Sequence, residues 1–389
     1  MTRDNRLLAF SLFCWGMGEG MFIYIQPLYL RQLGADPVAI GTILALAAAA
    51  VGLGHIPAGY VADRFGRKPV LLAGWVVGLI AVLVMFLAQD LWLFSAALVA
   101  YTFTGFVIAP IYAYATVARG QQSVQRAVTM VSSGFYAGTV ISPALGGLIA
   151  RLTSLRMVFG AAALAFVVSI VAMALITPQP RAEPASGQAR YAALLRNRRF
   201  LGFLALIFAA ATAMQVGLPL MPNFVVEVRG YDVGLVGLLG SANSLGVVVL
   251  QLGLGQRLPR RAYMLAQICL ALSMALLLIT TSEGWLFAVY FLRAGWYLSH
   301  SMAAAQVGRV VQPAESGLAF GMTETVSSAA TIVGPLAAGL LYARGPMLPF
   351  IASLGLIALT LPLVWRFAPR RDAHSPERDA PARAPNSFQ

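Results

Sequence analysis

The chain of 389 residues has few charged side chains. Asp, Glu, Lys and Arg together make up 11% of it, whereas hydrophobic residues make up 59%. A soluble domain carries about a quarter charged residues. This scarcity excludes an ordinary soluble enzyme or binding domain, and it indicates a helical protein that crosses a membrane several times.

Cysteine and histidine are also scarce. The two cysteines, Cys14 and Cys269, lie inside apolar runs, and there are three histidines. This excludes a disulfide framework, and no Cys/His pair has zinc-site spacing on a loop. The sequence also lacks the Gly-x4-Gly-Lys-Ser/Thr loop that binds nucleotide phosphates. We therefore expect no metal, no cofactor and no enzymatic activity.

Positive charge is present but unevenly placed. The formal net charge is +13, and of the 27 Lys and Arg residues 21 fall on one side of the spans proposed below, five on the other and one within. This is the positive-inside pattern of a membrane protein, not a nucleic-acid surface. It predicts a multi-pass plasma-membrane protein with both termini in the cytoplasm. The use of Arg over Lys, 26 to 1, favours a GC-rich prokaryote and therefore its inner membrane.

Twelve stretches are long and apolar enough to span a bilayer, which takes roughly 20 residues. They are 7–33, 38–62, 69–88, 91–117, 126–150, 155–177, 200–226, 233–256, 262–281, 284–308, 316–342 and 346–368. We predict an all-α fold with a six-helix bundle in residues 1–177, a cytoplasmic linker in 178–199 and a second six-helix bundle in 200–368. The Pro- and Arg-rich tail 369–389 has nothing to bury and is predicted to be disordered.

The two halves resemble each other. "LRQLGADPVAIG" (30–41) ends the first span as "VEVRGYDVGLVG" (226–237) ends the seventh, at an offset of 196 residues. Spans five and eleven share a similar pair, "SPALGG" (142–147) and "GPLAAG" (334–339). The common order predicts two pseudo-symmetric bundles, as in transporters that rock one half against the other.

The loop after the second span carries a motif. "GYVADRFGRK" (59–68) has a glycine, three residues, Asp-Arg, one residue and Gly-Arg-Lys. The pattern resembles the signature of the major facilitator superfamily, and together with the six-plus-six layout the resemblance covers essentially the whole chain. The matching residues are Gly59, Asp63, Arg64, Gly66, Arg67 and Lys68.

The resemblance implies a gating role for this loop. It places Asp63 across from the start of the eleventh helix, near Ser316, where a carboxylate meets unpaired N–H groups and the positive end of the helix dipole. The basic residues would bind lipid headgroups or acidic partners, and Gly66 would permit the tight turn. A purely topogenic role would explain the basic residues but not Asp63 or the glycine spacing.

A second motif lies in the fifth span. "GFYAGTVISPALGG" (134–147) resembles the fifth-helix motif of the twelve-span drug:proton antiporters, with Ser142 in place of a glycine. Glycines in such a row allow helices to pack closely. The residues that match or stand in the motif are Gly134, Gly138, Ser142, Pro143, Gly146 and Gly147. The fourth-helix arginine of those antiporters is missing, and Arg293 in span ten is its candidate counterpart.

Three ionisable residues lie deep within predicted spans, where each costs about 2.5–3.5 kcal/mol or more and therefore indicates a function. Glu19 is near the middle of span one, Arg293 is in span ten and Glu324 is in span eleven. We interpret them as candidate proton-coupling residues. A static Glu19–Arg293 ion pair is the structural alternative for the first two, and satisfaction by neighbouring hydroxyls is the alternative for Glu324.

The resemblance implies that the first and tenth helices line a central cavity. Residues one or two helical turns from Glu19 and Arg293 would then face that cavity. On this spacing the candidate substrate-contact residues are Trp15, Phe22 and Gln26 in span one and Trp296, Tyr297 and His300 in span ten. Gln215, the repeat counterpart of Glu19, is a further candidate, and so are Tyr24, Tyr101, Tyr112 and Asn223. Such an aromatic cavity suits lipophilic or amphiphilic molecules.

These observations predict a monomeric proton-coupled antiporter that exports lipophilic or amphiphilic compounds by alternating access. The proton gradient supplies the energy, and membrane lipids and the small-molecule substrate are the expected partners. A carboxyl group shut away from water favours its neutral form and ionises on contact with water, so Glu19 can exchange a proton for substrate. The alternatives are a lipid or lysolipid flippase, a symporter or uniporter of a small organic anion that uses Arg293, and a non-transporting sensor or scaffold.

Overall fold

The computed structural model describes residues 1–179, 197–257, 261–307 and 316–367. Within these ranges the chain forms helices and no strand. The helices of the first half are α1 (Arg3–Phe22), α2 (Gln26–Gln32), α3 (Pro37–Phe65), α4 (Arg67–Leu87), α5 (Leu91–Phe103), α6 (Ile108–Val117), α7 (Val124–Leu152) and α8 (Leu155–Ala174). Those of the second half are α9 (Arg198–Gln215), α10 (Val233–Leu250), α11 (Ala262–Ile279), α12 (Glu283–Arg293), α13 (Gly295–Val307), α14 (Ser316–Arg344) and α15 (Leu348–Phe367).

Each of the twelve predicted spans corresponds to a helical segment. In the described ranges ten helices are long and apolar enough to cross a membrane, and the pair α1 and α2, bent by 42°, makes an eleventh. The twelfth predicted span is α12 followed by α13. Their 11 and 13 residues are each too short alone for a hydrocarbon core of about 30 Å, but the two run on through Ala294 and together are long enough. The all-helical, multi-span fold is therefore confirmed.

The predicted 178–199 linker lies mostly outside the described residues, and the predicted tail 369–389 lies outside them entirely. At its start, the linker is held to the first bundle. Gln179 donates through Nε2 to the Tyr114 carbonyl at 3.0 Å, and Arg67 Nη1 donates to Gln179 Oε1 at 3.0 Å. The chain therefore leaves the first bundle beside the start of α4 and the second half of α6.

Several spans contain irregular turns at polar or glycine-containing sites. A 3-10 turn at Thr104–Val107 divides α5 from α6. In the second half, π-helical turns occupy Phe224–Val228 at the end of the seventh span and Gln251–Gly255 within the eighth. Such interruptions inside a membrane are tolerated where the backbone is buried in protein or lines a cavity.

The internal repeat has a structural counterpart at the turns that end spans one and seven. Gly34 and Gly230 have φ values of +94° and +74°, a conformation that favours glycine. Two residues later, Asp36 Oδ1 accepts from the Ala39 N–H at 2.7 Å, and Asp232 Oδ1 accepts from the Leu235 N–H at 3.0 Å. Each aspartate caps the helix that follows it, so the matched segments form the same turn.

The two halves meet through two equivalent pairs of helices, α3 against α14 and α7 against α10. Glycines permit the approach. A Cβ added at Gly41 would lie 3.0 Å from the Gly339 Cα, and one added at Gly237 would lie 2.6 Å from the Gly147 Cα. Side chains larger than hydrogen cannot be accommodated there without separating the helices, so the glycines fix how closely the halves can pack.

These contacts lie toward one end of the molecule. We call the end at which α1 begins and α3 ends the amino-terminal face, and the end at which α3 and α10 begin the distal face. An ion pair between Arg31 Nε and Glu227 Oε1 (3.4 Å) also joins the halves at the distal face. Asn223 Nδ2 donates to the Pro27 carbonyl at 3.3 Å and to Glu227 Oε1 at 3.1 Å beside it. The distal face is therefore closed by glycine contacts and a polar cluster.

Candidate functional site

Glu19 lies in the last turn of α1, near the middle of the first span, and is held by a tyrosine of the fourth span. Tyr101 Oη donates to Glu19 Oε2 at 2.9 Å. The carboxyl group is partly exposed, because it borders two of the cavities described below. It therefore faces cavities within the protein.

Aromatic rings pack beside this carboxyl group. Trp15, one turn before Glu19, stacks on Phe166 with ring centroids 4.1 Å apart and lies 4.8 Å from Trp75. The Tyr101 ring is parallel to Trp15 at 6.1 Å. The indole N–H of Trp75 donates to Ser169 Oγ at 2.8 Å, which satisfies its polar atom in the core. The stack holds Tyr101, and through it Glu19, in a fixed position.

The first cavity, of about 340 Å³, opens beside Glu19 inside the first half. It lies where the 3-10 turn separates α5 from α6, and its walls are largely apolar and aromatic. Among its lining residues are Trp15, Trp75, Tyr101, Tyr112, Phe135 and Tyr136. A cavity of this size and character is suited to an apolar organic molecule.

Arg293 ends α12 near the middle of the tenth span. Its Nη1 donates to Asn243 Oδ1 at 3.1 Å, and its guanidinium lies over the rings of Tyr24 at 5.4 Å and Tyr290 at 5.9 Å. Tyr24 Oη donates to the same Asn243 oxygen at 2.6 Å. This network joins the turn between α1 and α2 of the first half to α10 and α12 of the second.

Glu19 and Arg293 are not paired with each other. Within the described ranges, the ion pairs resolved are Arg31–Glu227 and His300–Glu324, and neither involves Glu19 or Arg293. The two deep charges instead contact neutral groups. The static ion pair that the sequence left open as an alternative is therefore absent from the part of the chain that the structure describes.

Arg293 borders a second cavity, of about 260 Å³, between the halves. Predicted residues from both halves line it, namely Tyr24, Gln26, Gln215, Trp296 and Tyr297. A third cavity of about 120 Å³ lies between the first two. It shares Glu19 and Tyr136 with the first and Tyr24 and Tyr297 with the second. The three cavities are adjacent and together form one site, with Glu19 toward one end and Arg293 toward the other.

Three predicted contact residues lie elsewhere. Phe22 is buried in the core against Phe159, with ring centroids 5.4 Å apart. Asn223 belongs to the polar cluster at the distal face. His300 Nε2 lies 3.3 Å from Glu324 Oε2, on the amino-terminal side of the cavities, so the structure pairs two residues that the sequence analysis had treated separately.

Sequence reasoning missed Asn243, which binds both Tyr24 and Arg293. It stands inside the apolar run "LLGSANSLGVVVL", and the argument applied to Glu19, that a polar group in mid-span is costly, would have singled it out. It also missed the Arg31–Glu227 pair. These residues are 196 apart, the repeat offset, so they occupy equivalent positions in the two halves.

The loop motif is only partly described. The surroundings of Gly59 and the side chain of Asp63 lie outside the described residues, and so do residues 308–315 before α14. Gly66 precedes α4 with a φ of +90°, as the tight turn requires. The Arg64 guanidinium lies over the Phe65 ring at 5.6 Å.

The last two basic residues of the motif bind backbone carbonyls. Arg67 Nη1 donates to the Ala113 carbonyl at 3.2 Å, and Lys68 Nζ donates to the Ala174 carbonyl at 2.8 Å. These bonds tie the start of α4 to the middle of α6 and to the end of α8. Because they stay within the first half, this part of the loop holds the bundle together at its amino-terminal face.

The glycine motif of α7 serves two neighbours. Gly134, Gly138 and Gly146 face the backbone of α1 at Ala9, Phe13 and Met21. Ser142, at the position where the motif has glycine, donates through Oγ to the Gly16 carbonyl of α1 at 3.2 Å. On the other side, Pro143 and Gly147 face Gly237 of α10. The motif thus packs α7 against its own half and against the other half at once.

A protein-family model and a bacterial relative each match most of the chain. The family model described as Major Facilitator Superfamily matches residues 8–292 and 236–387. The "Multidrug resistance protein 1" of Bacillus subtilis (strain 168) is 21% identical over 373 residues, which cover 92% of this chain and 95% of that protein.

Two solved structures share the fold. The nucleoside transporter NupG superposes with a TM-score of 0.77 at 15% identity, covering 94% of this chain and 98% of that one. A bacterial homologue of the human lysosomal transporter Spinster, in an inward-facing and occupied conformation, gives a TM-score of 0.74 at 14% identity, covering 93% and 96%. At these identities the likeness concerns the fold alone.

Proposed function

The chain belongs to the major facilitator superfamily and is a membrane transporter rather than an enzyme; from that premise, we propose that it is a proton-coupled antiporter that exports lipophilic or amphiphilic compounds. The observation that carries the proposal is the position of Glu19. Its carboxyl group borders both the aromatic first cavity and the third cavity, and it is hydrogen-bonded to Tyr101 Oη at 2.9 Å.

Antiport follows from competition at this carboxyl group. A substrate with a positive charge or a strong hydrogen-bond donor is attracted to ionised Glu19 and to the aromatic faces beside it. A proton bound to Glu19 removes the charge and weakens the substrate's hold. Substrate entering from one side therefore displaces a proton, and a proton entering from the other side displaces substrate.

Movement of the halves would supply access to alternate sides. The closed distal face supports a state in which the cavities communicate with the amino-terminal face, predicted to be cytoplasmic. Opening the distal face would separate the Gly41–Gly339 and Gly147–Gly237 contacts and the Arg31–Glu227 pair. Asp63 would then latch the amino-terminal face against the start of α14.

The lining of the first cavity supports the substrate class. Its polar groups are few and its rings are many, which is the composition of pockets for apolar organic molecules. The name of the Bacillus subtilis relative, a multidrug resistance protein, points to the same class. We propose the His300–Glu324 pair as a second, auxiliary protonation site.

The test uses purified protein in liposomes that contain a pH-sensitive dye. Addition of tetraphenylphosphonium, a lipophilic cation, is expected to move protons in the opposite direction to the cation. Glu19→Gln should abolish this coupling, whereas Glu283→Gln, at an exposed carboxyl group outside the three cavities, should not. Unchanged coupling in Glu19→Gln would refute the proposal, and proton-independent movement of labelled lipid headgroups would favour a flippase.

A further inference from the structure

The positive charge of Arg293 has no anionic partner in the described part of the chain. Its hydrogen bond goes to the neutral Asn243 amide, and its guanidinium faces lie over two neutral tyrosine rings. A charge held deep in a membrane protein is costly and is usually compensated by a counter-ion or by function.

The guanidinium also has unused hydrogen-bonding capacity. Nη1 is engaged by Asn243 at 3.1 Å, but the buried Nε has no hydrogen-bond partner within the described ranges. A guanidinium presents its N–H groups as a rigid fork that matches two oxygens of one anionic group. Arg293 is thus fixed in place by one amide and two rings, with donors left over.

The cavity beside Arg293 has room and chemistry for such a group. Its volume of about 260 Å³ exceeds that of a carboxylate or sulfonate, and the amide side chains of Gln26 and Gln215 also line it. Within the described residues, none of its lining side chains is acidic. An anion placed there would meet donors and no competing carboxylate.

The rest of the site contains a group of opposite charge, the Glu19 carboxylate. Glu19 lies at the boundary of the first and third cavities, and Tyr24 and Tyr297 belong to both the second and the third. A molecule that extends through the third cavity would therefore place one end near Glu19 and the aromatic stack and its other end near Arg293.

We propose that the cavity at Arg293 binds an anionic group of the substrate, a carboxylate, sulfonate or phosphate, so that the preferred substrates are zwitterionic amphiphiles. The cationic group lies at Glu19, the anionic group at Arg293 and the apolar body in the aromatic first cavity. This inference rests on the proposed transport function and specifies its substrate class.

Three probes with the same octyl chain test the proposal: octyltrimethylammonium, octanesulfonate and an octyl sulfobetaine that carries both groups. Binding is measured in lipid nanodiscs by the change in tryptophan emission, since Trp15, Trp75 and Trp296 line the cavities. We expect the sulfobetaine to bind at least about tenfold more tightly than the cation, since a hydrogen bond to a charged group contributes that much or more.

Arg293→Gln should remove this gain and the binding of octanesulfonate while leaving the affinity for octyltrimethylammonium unchanged. Arg156→Gln is the matched control, since Arg156 also lies over a ring, Phe86 at 5.7 Å, but lines none of the three cavities. An unchanged preference for the sulfobetaine in Arg293→Gln would overturn the proposal. Equal loss of all three probes would also overturn it, because that result marks a structural role.

Glu19→Gln separates this inference from the proposed function. If the variant still couples protons, the antiport proposal fails, yet the comparison of probes in Arg293→Gln still decides the anion site. If coupling is lost in Glu19→Gln but the sulfobetaine gains nothing from Arg293, the antiport proposal stands and the zwitterionic substrate class is rejected.

Discussion

The glycine contacts at the distal face make a prediction that can be worked out from distances. A Cβ added at Gly237 would lie 2.6 Å from the Gly147 Cα and also against the Pro143 carbonyl, both in α7. Carbon atoms pack at about 3.5–4.0 Å. Gly237→Ala must therefore push α10 away from α7 by roughly 1 Å, because neither neighbour is a flexible side chain.

The cost falls on the closed state alone. Overpacking of this kind costs about 1–3 kcal/mol, which shifts the ratio of closed to open distal face by roughly 5- to 150-fold. Gly355→Ala is the control, since nothing lies within 4 Å of a Cβ added there. That substitution is expected to leave the ratio unchanged and to stabilise α15 slightly, by about 0.5–1 kcal/mol.

Cysteine labelling reports the shift. Ser244 lines the third cavity, so Ser244→Cys is placed in a chain whose two native cysteines are replaced by serine. A membrane-impermeant maleimide is added to right-side-out vesicles, at the predicted periplasmic side. Labelling should be slow in this background and in Gly355→Ala, and faster by the factor above in Gly237→Ala. Equal rates in all three would refute the reasoning that these glycines close the distal face.

Three further outcomes follow from individual contacts. Arg31→Glu should open the distal face by a small amount, since a pair this exposed is worth about 0.2–1 kcal/mol, and adding Glu227→Arg should restore the original labelling rate. If the double charge swap does not restore the labelling rate, the Arg31–Glu227 pair does not help to close the distal face. Glu324→Gln should reduce the number of protons moved per substrate. Binding of tetraphenylphosphonium should stay unchanged, because Glu324 lines none of the three cavities. Weaker binding would contradict an auxiliary role in protonation alone. Tyr101→Phe keeps the ring stack but removes the hydroxyl bonded to Glu19, so coupled transport should slow by about tenfold or more. An unchanged rate would show that this bond has no role.

The fold could be predicted from the sequence because the signals were strong and local. The twelve apolar stretches each correspond to a helical segment, and the repeat offset of 196 residues reproduces paired turns at Gly34 and Gly230. Span ten could be predicted as one stretch, but its division at Ala294 could not. Hydropathy reports the length of an apolar run and not how its helix is broken.

The site was harder to predict because its geometry depends on contacts between distant spans. Helical spacing placed Trp15 on the same face as Glu19, but it also placed Phe22 there, and Phe22 packs into the core against Phe159. The sequence carries no register between spans, so neither the Tyr101–Glu19 bond nor the His300–Glu324 pair could be read from it. Asn243 could have been found by its cost in mid-membrane, and its partners could not.

The central claim is that Glu19 gives up a proton when substrate binds. Infrared difference spectroscopy tests it most directly, because a protonated carboxyl group has a C=O stretching band that disappears on ionisation. Adding tetraphenylphosphonium to the reconstituted wild-type protein should produce a negative band of this kind, and Glu19→Gln should show none while Glu283→Gln keeps it. The same band in Glu19→Gln, or no band in the wild type under conditions where transport is coupled to protons, would contradict the account.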